Sequence, residues 1–340
     1  MESPDRTLPS SRSFPTSASD SLWRVAQGAG LVATLGLLAG LVLSPQATLR
    51  ILWYGIIPVL PAVFLIHPGI WRNVCPLATL EILPQRRAGG VRLERDGARR
   101  ALVVGLVLLA VLVPARRLLF NSDGPWLAGV IVGVALLALL LGLGSHRKAR
   151  FCNALCPVLP VEKLYGQSPL LSVPNPRCAP CTACTASGCL DLVPTRAALE
   201  MADPGDRGGS RWLLTPFGIF AAAFPGFVVA YYLLGDVPAS AWATVYGGVA
   251  AGSVASFALV GVVLAPARVP ARTALPWLGL LAFLLYYWFG APGVADAWST
   301  GTAPTGVTVG IRSAALALGL AWTARRLRGA AAPTARAARR

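Results

Sequence analysis

The chain is written in apolar runs. Long stretches almost free of charge alternate with short segments rich in arginine. A run near 20 residues, wound as a helix, crosses about 30 Å of hydrocarbon. A helix lying on a soluble core would show charge at helical spacing, and these runs do not. The pattern predicts eight transmembrane helices, near 23–43, 49–66, 101–115, 126–143, 212–234, 241–264, 275–291 and 307–324. The third is the shortest, because Pro114, Arg116 and Arg117 end it early.

Composition agrees with that pattern. Of 340 residues, 55% are hydrophobic and 13% charged, whereas a soluble domain carries about 25% charged residues. The net charge of +16 follows loop position and not one face of a domain, which argues against nucleic acid as a partner. With the N-terminus inside, 26 Lys and Arg fall in inner segments and Arg50, Arg116 and Arg117 in outer loops. Positive charge resists translocation, so both termini and both long loops are expected in the cytoplasm, with the chain multi-pass in a bacterial inner membrane. Trp23, Trp53, Trp126, Trp212, Trp242 and Trp277 stand near span starts and Trp288 and Trp322 near span ends, where indole anchors to headgroups.

Five segments follow. They are a disordered N-terminal stretch (1–21), four spans (22–143) with a Cys-Pro loop at 67–100, a Cys-rich cytoplasmic loop (144–211), four further spans (212–324) and a basic tail (325–340). A tandem repeat links the two loops: Cys75-Pro-Leu-Ala-Thr-Leu-Glu-Ile-Leu aligns with Cys156-Pro-Val-Leu-Pro-Val-Glu-Lys-Leu, pairing Glu81 with Glu162. Two helical hairpins are expected to deliver similar Cys-Pro segments to one membrane face.

All seven cysteines lie in these loops. Clustered thiols in a reducing compartment point to metal ligation or redox chemistry before structural disulfides. The densest run is Cys178-Ala-Pro-Cys181-Thr-Ala-Cys184-Thr-Ala-Ser-Gly-Cys189. Thiolates two residues apart in a tight loop reach different corners of one cubane, as in ferredoxin loops that hold a [4Fe–4S] cluster. Zinc prefers two separated pairs of cysteines, so the triple spacing favours iron. A second motif, Cys152-Asn-Ala-Leu-Cys156-Pro157, places two thiols on one helix face. Cys75-Pro76 is its degenerate copy, with Trp71 in the first position.

These residues together resemble the membrane-bound ferredoxin-type proteins of the NosR/NapH kind, over roughly residues 67–195. Cys152, Cys156 and Pro157 match that group's membrane motif, and Cys178, Cys181 and Cys184 its cluster loop. The resemblance implies four-iron clusters and electron flow from a cytoplasmic donor (ferredoxin- or flavodoxin-like) or a quinol to a membrane or periplasmic acceptor. The chain departs from the pattern by the longer step from Cys184 to Cys189, by a single ferredoxin run and by the lack of a flavin-binding extension. Seven thiols fall short of two all-cysteine four-iron clusters. One arrangement is a single cluster on Cys178, Cys181, Cys184 and Cys189; the other shares Cys189 with Cys75, Cys152 and Cys156 around a second cluster.

Weaker candidates complete the inventory. His67 and His146 stand beside the cysteine motifs, where interfacial histidine is the first expectation and metal or haem b ligation the second. Glu81 and Glu162 are expected to be solvated or paired with arginines. Tyr231–Tyr232 and Tyr286–Tyr287 read as interfacial packing before a quinone pocket. Two function classes remain open: an electron-transfer subunit without substrate chemistry of its own, and a transporter or metalloenzyme assembly factor whose loop metal is structural or in transit.

Overall fold

The computed structural model describes residues 18–84, 95–143, 150–171, 194–203, 209–299 and 304–337. Among them the chain is helical throughout, and eight helices are long and apolar enough to cross a bilayer. Spans one to eight are Ser21–Leu43, Pro45–Ile66, Asp96–Phe120, Gly124–Gly142, Pro216–Leu233, Ala239–Leu264, Ala271–Trp298 and Thr305–Arg328. The chain is a multi-pass membrane protein. The first helix begins at Ala18, inside the stretch expected to be disordered, and the last runs on to Ala337, into the expected basic tail.

Local chemistry sets the span starts. Span two opens directly on Pro45, span four on a Pro125 turn whose N-cap Asp123 accepts the Trp126 amide at 3.0 Å. Span five opens on Pro216, where the Thr215 hydroxyl accepts the Gly218 amide at 3.1 Å. Proline has no N–H to lose in a first turn, and a capping oxygen satisfies an amide that would otherwise be orphaned.

Span three is longer than its sequence suggests. It passes Pro114 and ends on a widened π-type turn at Arg116–Phe120. The arginines do not end it because both are accommodated by neighbouring spans. The Arg116 guanidinium lies 4.4 Å from the Trp53 ring centre, and Arg117 pairs with Asp236 at 3.0 Å. Tryptophan placement also departs from expectation at two sites. Trp212 and Trp322 are buried in protein, not set at a lipid interface, while Trp126 and Trp242 are exposed as anchors should be.

Prolines inside the spans leave carbonyls without an intrahelical donor four residues earlier. Three of these carbonyls are met from another helix or from the far end of a neighbour. Pro58 strands the Tyr54 carbonyl, which accepts the Trp298 indole N–H at 2.9 Å. Pro276 strands the Arg272 carbonyl, which accepts Arg326 at 2.9 Å. Pro292 strands the Trp288 carbonyl, which accepts Arg312 at 3.0 and 2.7 Å. The Tyr287 hydroxyl adds a splice in span two: it donates to the Pro58 carbonyl at 2.5 Å and accepts the Ala62 amide at 3.2 Å. Span seven is thereby tied to spans two and eight by polar contacts in a setting without water.

Span four ends where Gly142 meets the backbone carbonyl of Glu81, with no room for a side chain. Gly142→Val is therefore expected to cost about 1–3 kcal/mol through overpacking. Gly133→Val, on the same span with open space around it, should stay within about 0.5 kcal/mol. Unfolding of the two variants in detergent checks the contrast.

Candidate functional site at the paired Cys-Pro junctions

A residue before proline is disfavoured in helical backbone. Cys75 and Cys156 obey that rule in the same way, with φ and ψ of −56° and 124° at Cys75 and −58° and 120° at Cys156. Each cysteine therefore forms an elbow between two short helices. The first elbow joins Pro68–Val74 to Pro76–Ile82, and the second joins Phe151–Leu155 to Leu159–Tyr165. The repeat read from the sequence is thus a repeat of structure.

The mounting of the elbows repeats as well. Gly30 of span one lies under the Val74 carbonyl, and Gly105 of span three lies under the Leu155 carbonyl. Val74 and Leu155 are the residues just before the two elbow cysteines. In both hairpins a bare helix surface is what lets the elbow seat against the preceding odd-numbered span.

The two glutamates cross between the copies. The Glu81 carboxylate of the first copy accepts the amides of Arg150, Phe151 and Cys152 at 3.2, 2.8 and 3.0 Å, at the start of the second copy's short helix. Glu162 of the second copy pairs with Arg72 of the first at 3.2 Å and with Lys163 at 2.8 Å. Arg72 also contacts Asn153, which stands 81 positions later and so at the equivalent place in the repeat. Equivalent residues that touch mark a pseudo-twofold axis between the elbows. Neither carboxylate is solvated: Glu81 is 0% and Glu162 3% exposed, and Lys163 is 1% exposed. Three N–H donors and the positive end of a helix hold Glu81 as the Arg72 and Lys163 charges hold Glu162.

Cys75, Cys152 and Cys156 pack into one small apolar cluster with Ala78, Ala138 and Phe151. None of the three forms a disulfide among the described residues. Burial pushes the Cys152 thiol well above its ordinary value, and Glu81, Cys156 and Cys75 add to the shift. Burial pushes Cys156 up to about 12, with Cys75 the next largest cause. The setting of Cys152 and Cys156 therefore favours their protonated form, and Cys75 lies close enough to act on both.

Among the described residues, no group of three or more His, Cys, Asp or Glu is arranged to hold a metal ion. The structure brings Cys75 to Cys152 and Cys156, but these three do not by themselves form a metal site. Cys178, Cys181, Cys184, Cys189 and His146 lie outside the described residues. His67 is buried, and its Nδ1 accepts the Gly69 amide at 2.9 Å as the N-cap of Pro68–Val74. That bond leaves Nε2 as the protonated nitrogen, a poor starting state for ligation through either atom.

At the far end of the bundle the two tyrosine pairs meet. Ring centres are 5.2 Å apart in Tyr231–Tyr232, 5.6 Å in Tyr232–Tyr286 and 5.2 Å in Tyr286–Tyr287. Tyr232, Tyr286 and Tyr287 border a cavity of about 440 Å³ with Arg116 and Arg117. No family model, no curated protein and no solved structure matches the chain. Its function must be argued from its own residues.

Sequence reasoning missed the buried set of Arg72, Asn153 and Lys163. The usable signal was the repeated glutamate, since an acid conserved between internal copies needs a partner in each.

Two outcomes test this geometry. Arg72→Ala removes the partner that Glu162 has in the other copy and leaves it Lys163 at 2.8 Å, and a loss of about 1–3 kcal/mol in unfolding free energy is expected. For the thiols, a raised value means the neutral form is bound more firmly by the fold. Stability from Cys156 is full below the ordinary value of 9.0 and falls as pH climbs from there towards about 12. In metal-free protein, iodoacetamide should label Cys156 at least about 10-fold more slowly than an unfolded thiol at pH near 8, read by peptide mass spectrometry.

Proposed function

We propose that the chain is a membrane-anchored iron–sulfur electron-transfer protein, acting between a cytoplasmic or quinol donor and a membrane or periplasmic acceptor. The observation that carries the reading is the convergence of Cys75 with Cys152 and Cys156. Thiols from two loops, far apart in sequence, are gathered on paired elbows, with Cys152 buried and Cys75 and Cys156 half-buried. Beside them in sequence stands the ferredoxin-like run Cys178, Cys181, Cys184 and Cys189, the residues that would hold a [4Fe–4S] cluster.

The donor set fits a thiophilic metal. Every ligand offered by that run is a cysteine, and iron or zinc binds the thiolate form, so loading releases protons. A four-iron cluster, when bound, supplies one-electron transfer. The chain's own part is mechanical and electrostatic. Glu81 locks the second elbow through three amides, and Glu162, Arg72 and Lys163 clamp the first to the second. Such a frame holds the cysteine loops in register while charge moves nearby, which keeps reorganisation small. Membership in the NosR/NapH group and a position in the bacterial inner membrane belong to the same proposal. They rest on the cysteine spacing and on the skew of Lys and Arg between loops.

Protein purified without oxygen should be brown, bleach under dithionite and contain about four iron and four sulfide per cluster. Cys181→Ser should lower both counts together. Colourless protein carrying stoichiometric zinc would instead support the transporter or assembly reading and end this one.

A further inference from the structure

A second apolar cavity, of about 340 Å³, runs between spans two, three and five. One end is walled by Pro157 and Val158 of the second elbow, the other by Arg116 and Tyr231. Along span two it follows a single stripe from Trp53 through Ile57 and Leu60 to Phe64. Eleven steps along the helix at about 1.5 Å each make that stripe roughly 16 Å long. The cavity shares Trp53, Arg116, Tyr232 and Tyr286 with the far-end cavity bordered by the tyrosines.

Three features at the Arg116 end ask for a partner. The Tyr231 hydroxyl is buried with the residue 5% exposed, and among the described residues it has no hydrogen-bond partner. Arg116 donates its Nε to Asn121 at 2.7 Å and stacks on Trp53 and Tyr54, yet no carboxylate of the described residues lies within ion-pair distance of it. Of the acids at this end, Asp236 is already committed to Arg117 at 3.0 Å and to the Asn121 amide at 2.7 and 2.8 Å, and Asp123 caps span four. Arg116 thus places a positive charge without a carboxylate partner, among the described residues, beside an apolar channel.

We propose that this cavity seats one anionic membrane lipid. Its phosphate sits on the free face of the Arg116 guanidinium with the Tyr231 hydroxyl donating to it, and one hydrocarbon chain follows the Ile57–Leu60–Phe64 stripe towards Pro157. The head is anionic because the unbalanced charge is a cation, and a neutral head would leave it uncompensated in low dielectric. The tail is a linear chain because the channel is long, apolar and lined on several sides. This reading stands apart from the iron–sulfur reading, since it uses none of the cysteines.

The test is lipid binding to delipidated protein in neutral detergent, read by native mass spectrometry and by thermal unfolding. Phosphatidylglycerol should bind one to one and about 10-fold tighter than phosphatidylcholine with the same chains. Arg116→Gln should abolish that preference, Tyr231→Phe should weaken it about 3-fold, and Leu60→Trp, which blocks the channel, should weaken both lipids. If Arg116→Gln does not fold, Tyr231→Phe and Leu60→Trp decide alone. Equal affinity for the two headgroups overturns the proposal. So does a neutral prenyl compound as the molecule retained one to one through purification. Iron content should not change in any of these variants, so failure here leaves the redox reading intact.

Discussion

Inside a bilayer a backbone N–H or C=O without a partner costs several kcal/mol, and no water is present to supply one. This chain carries prolines in the interior of four of its eight spans and so creates that problem repeatedly. The carbonyls of Tyr54, Arg272 and Trp288, stranded by Pro58, Pro276 and Pro292, are met by Trp298, Arg326 and Arg312. Each repair is made by a side chain large enough to reach across a helix gap and polar only at its tip. The prolines thus convert a local defect into a cross-link. Span seven, which holds two of them and donates Trp298 and Tyr287 to span two, becomes the member that binds the two halves of the bundle.

The same constraint explains the Cys-Pro end. The extended backbone at each elbow cysteine separates two short helices, and the first amides of a short helix need acceptors. Glu81 meets that need for Phe151–Leu155, the helix that leads into the second elbow, and it does so from the other copy. Glu162 returns the exchange by pairing with Arg72 of the first. A duplicated hairpin that satisfied its own helix ends would leave the copies free to slide. Swapped acids make each copy incomplete without the other, and the thiols of both are fixed in one place as a result. Buried ion pairs give little net stability compared with an apolar core, and their value here lies in register.

Much of this was legible beforehand. Eight apolar runs gave eight spans, and the repeated Cys-Pro-x₄-Glu segment gave two equivalent elbows. Span boundaries were less legible, because hydropathy counts Arg116 and Arg117 as stops while the structure stacks one on Trp53 and pairs the other with Asp236. Trp212 and Trp322 could not be told from interfacial anchors by position along the chain; only tertiary packing separates them. Glu81 and Glu162 were read as loop carboxylates because sequence cannot show that a loop folds back into the protein. Cys178, Cys181, Cys184 and Cys189 lie outside the described residues, so the spacing argument for them stands as it did.

The two ends of the molecule share a wall. Pro157 and Val158, which follow the elbow cysteine Cys156, line the same channel that reaches Arg116 and Tyr231. Whatever fills that channel packs against Pro157 and Val158 of the second elbow. A ligand shifts a conformational equilibrium only by its difference in affinity between two states. Here the elbow is held by Glu81 on one side and by Gly105 under the Leu155 carbonyl on another, so its freedom to adopt a second state is small. Channel occupancy should therefore stiffen the thiol mount and leave its geometry unchanged. The frame behaves as a fixed seat for the cysteine loops, not as a switch.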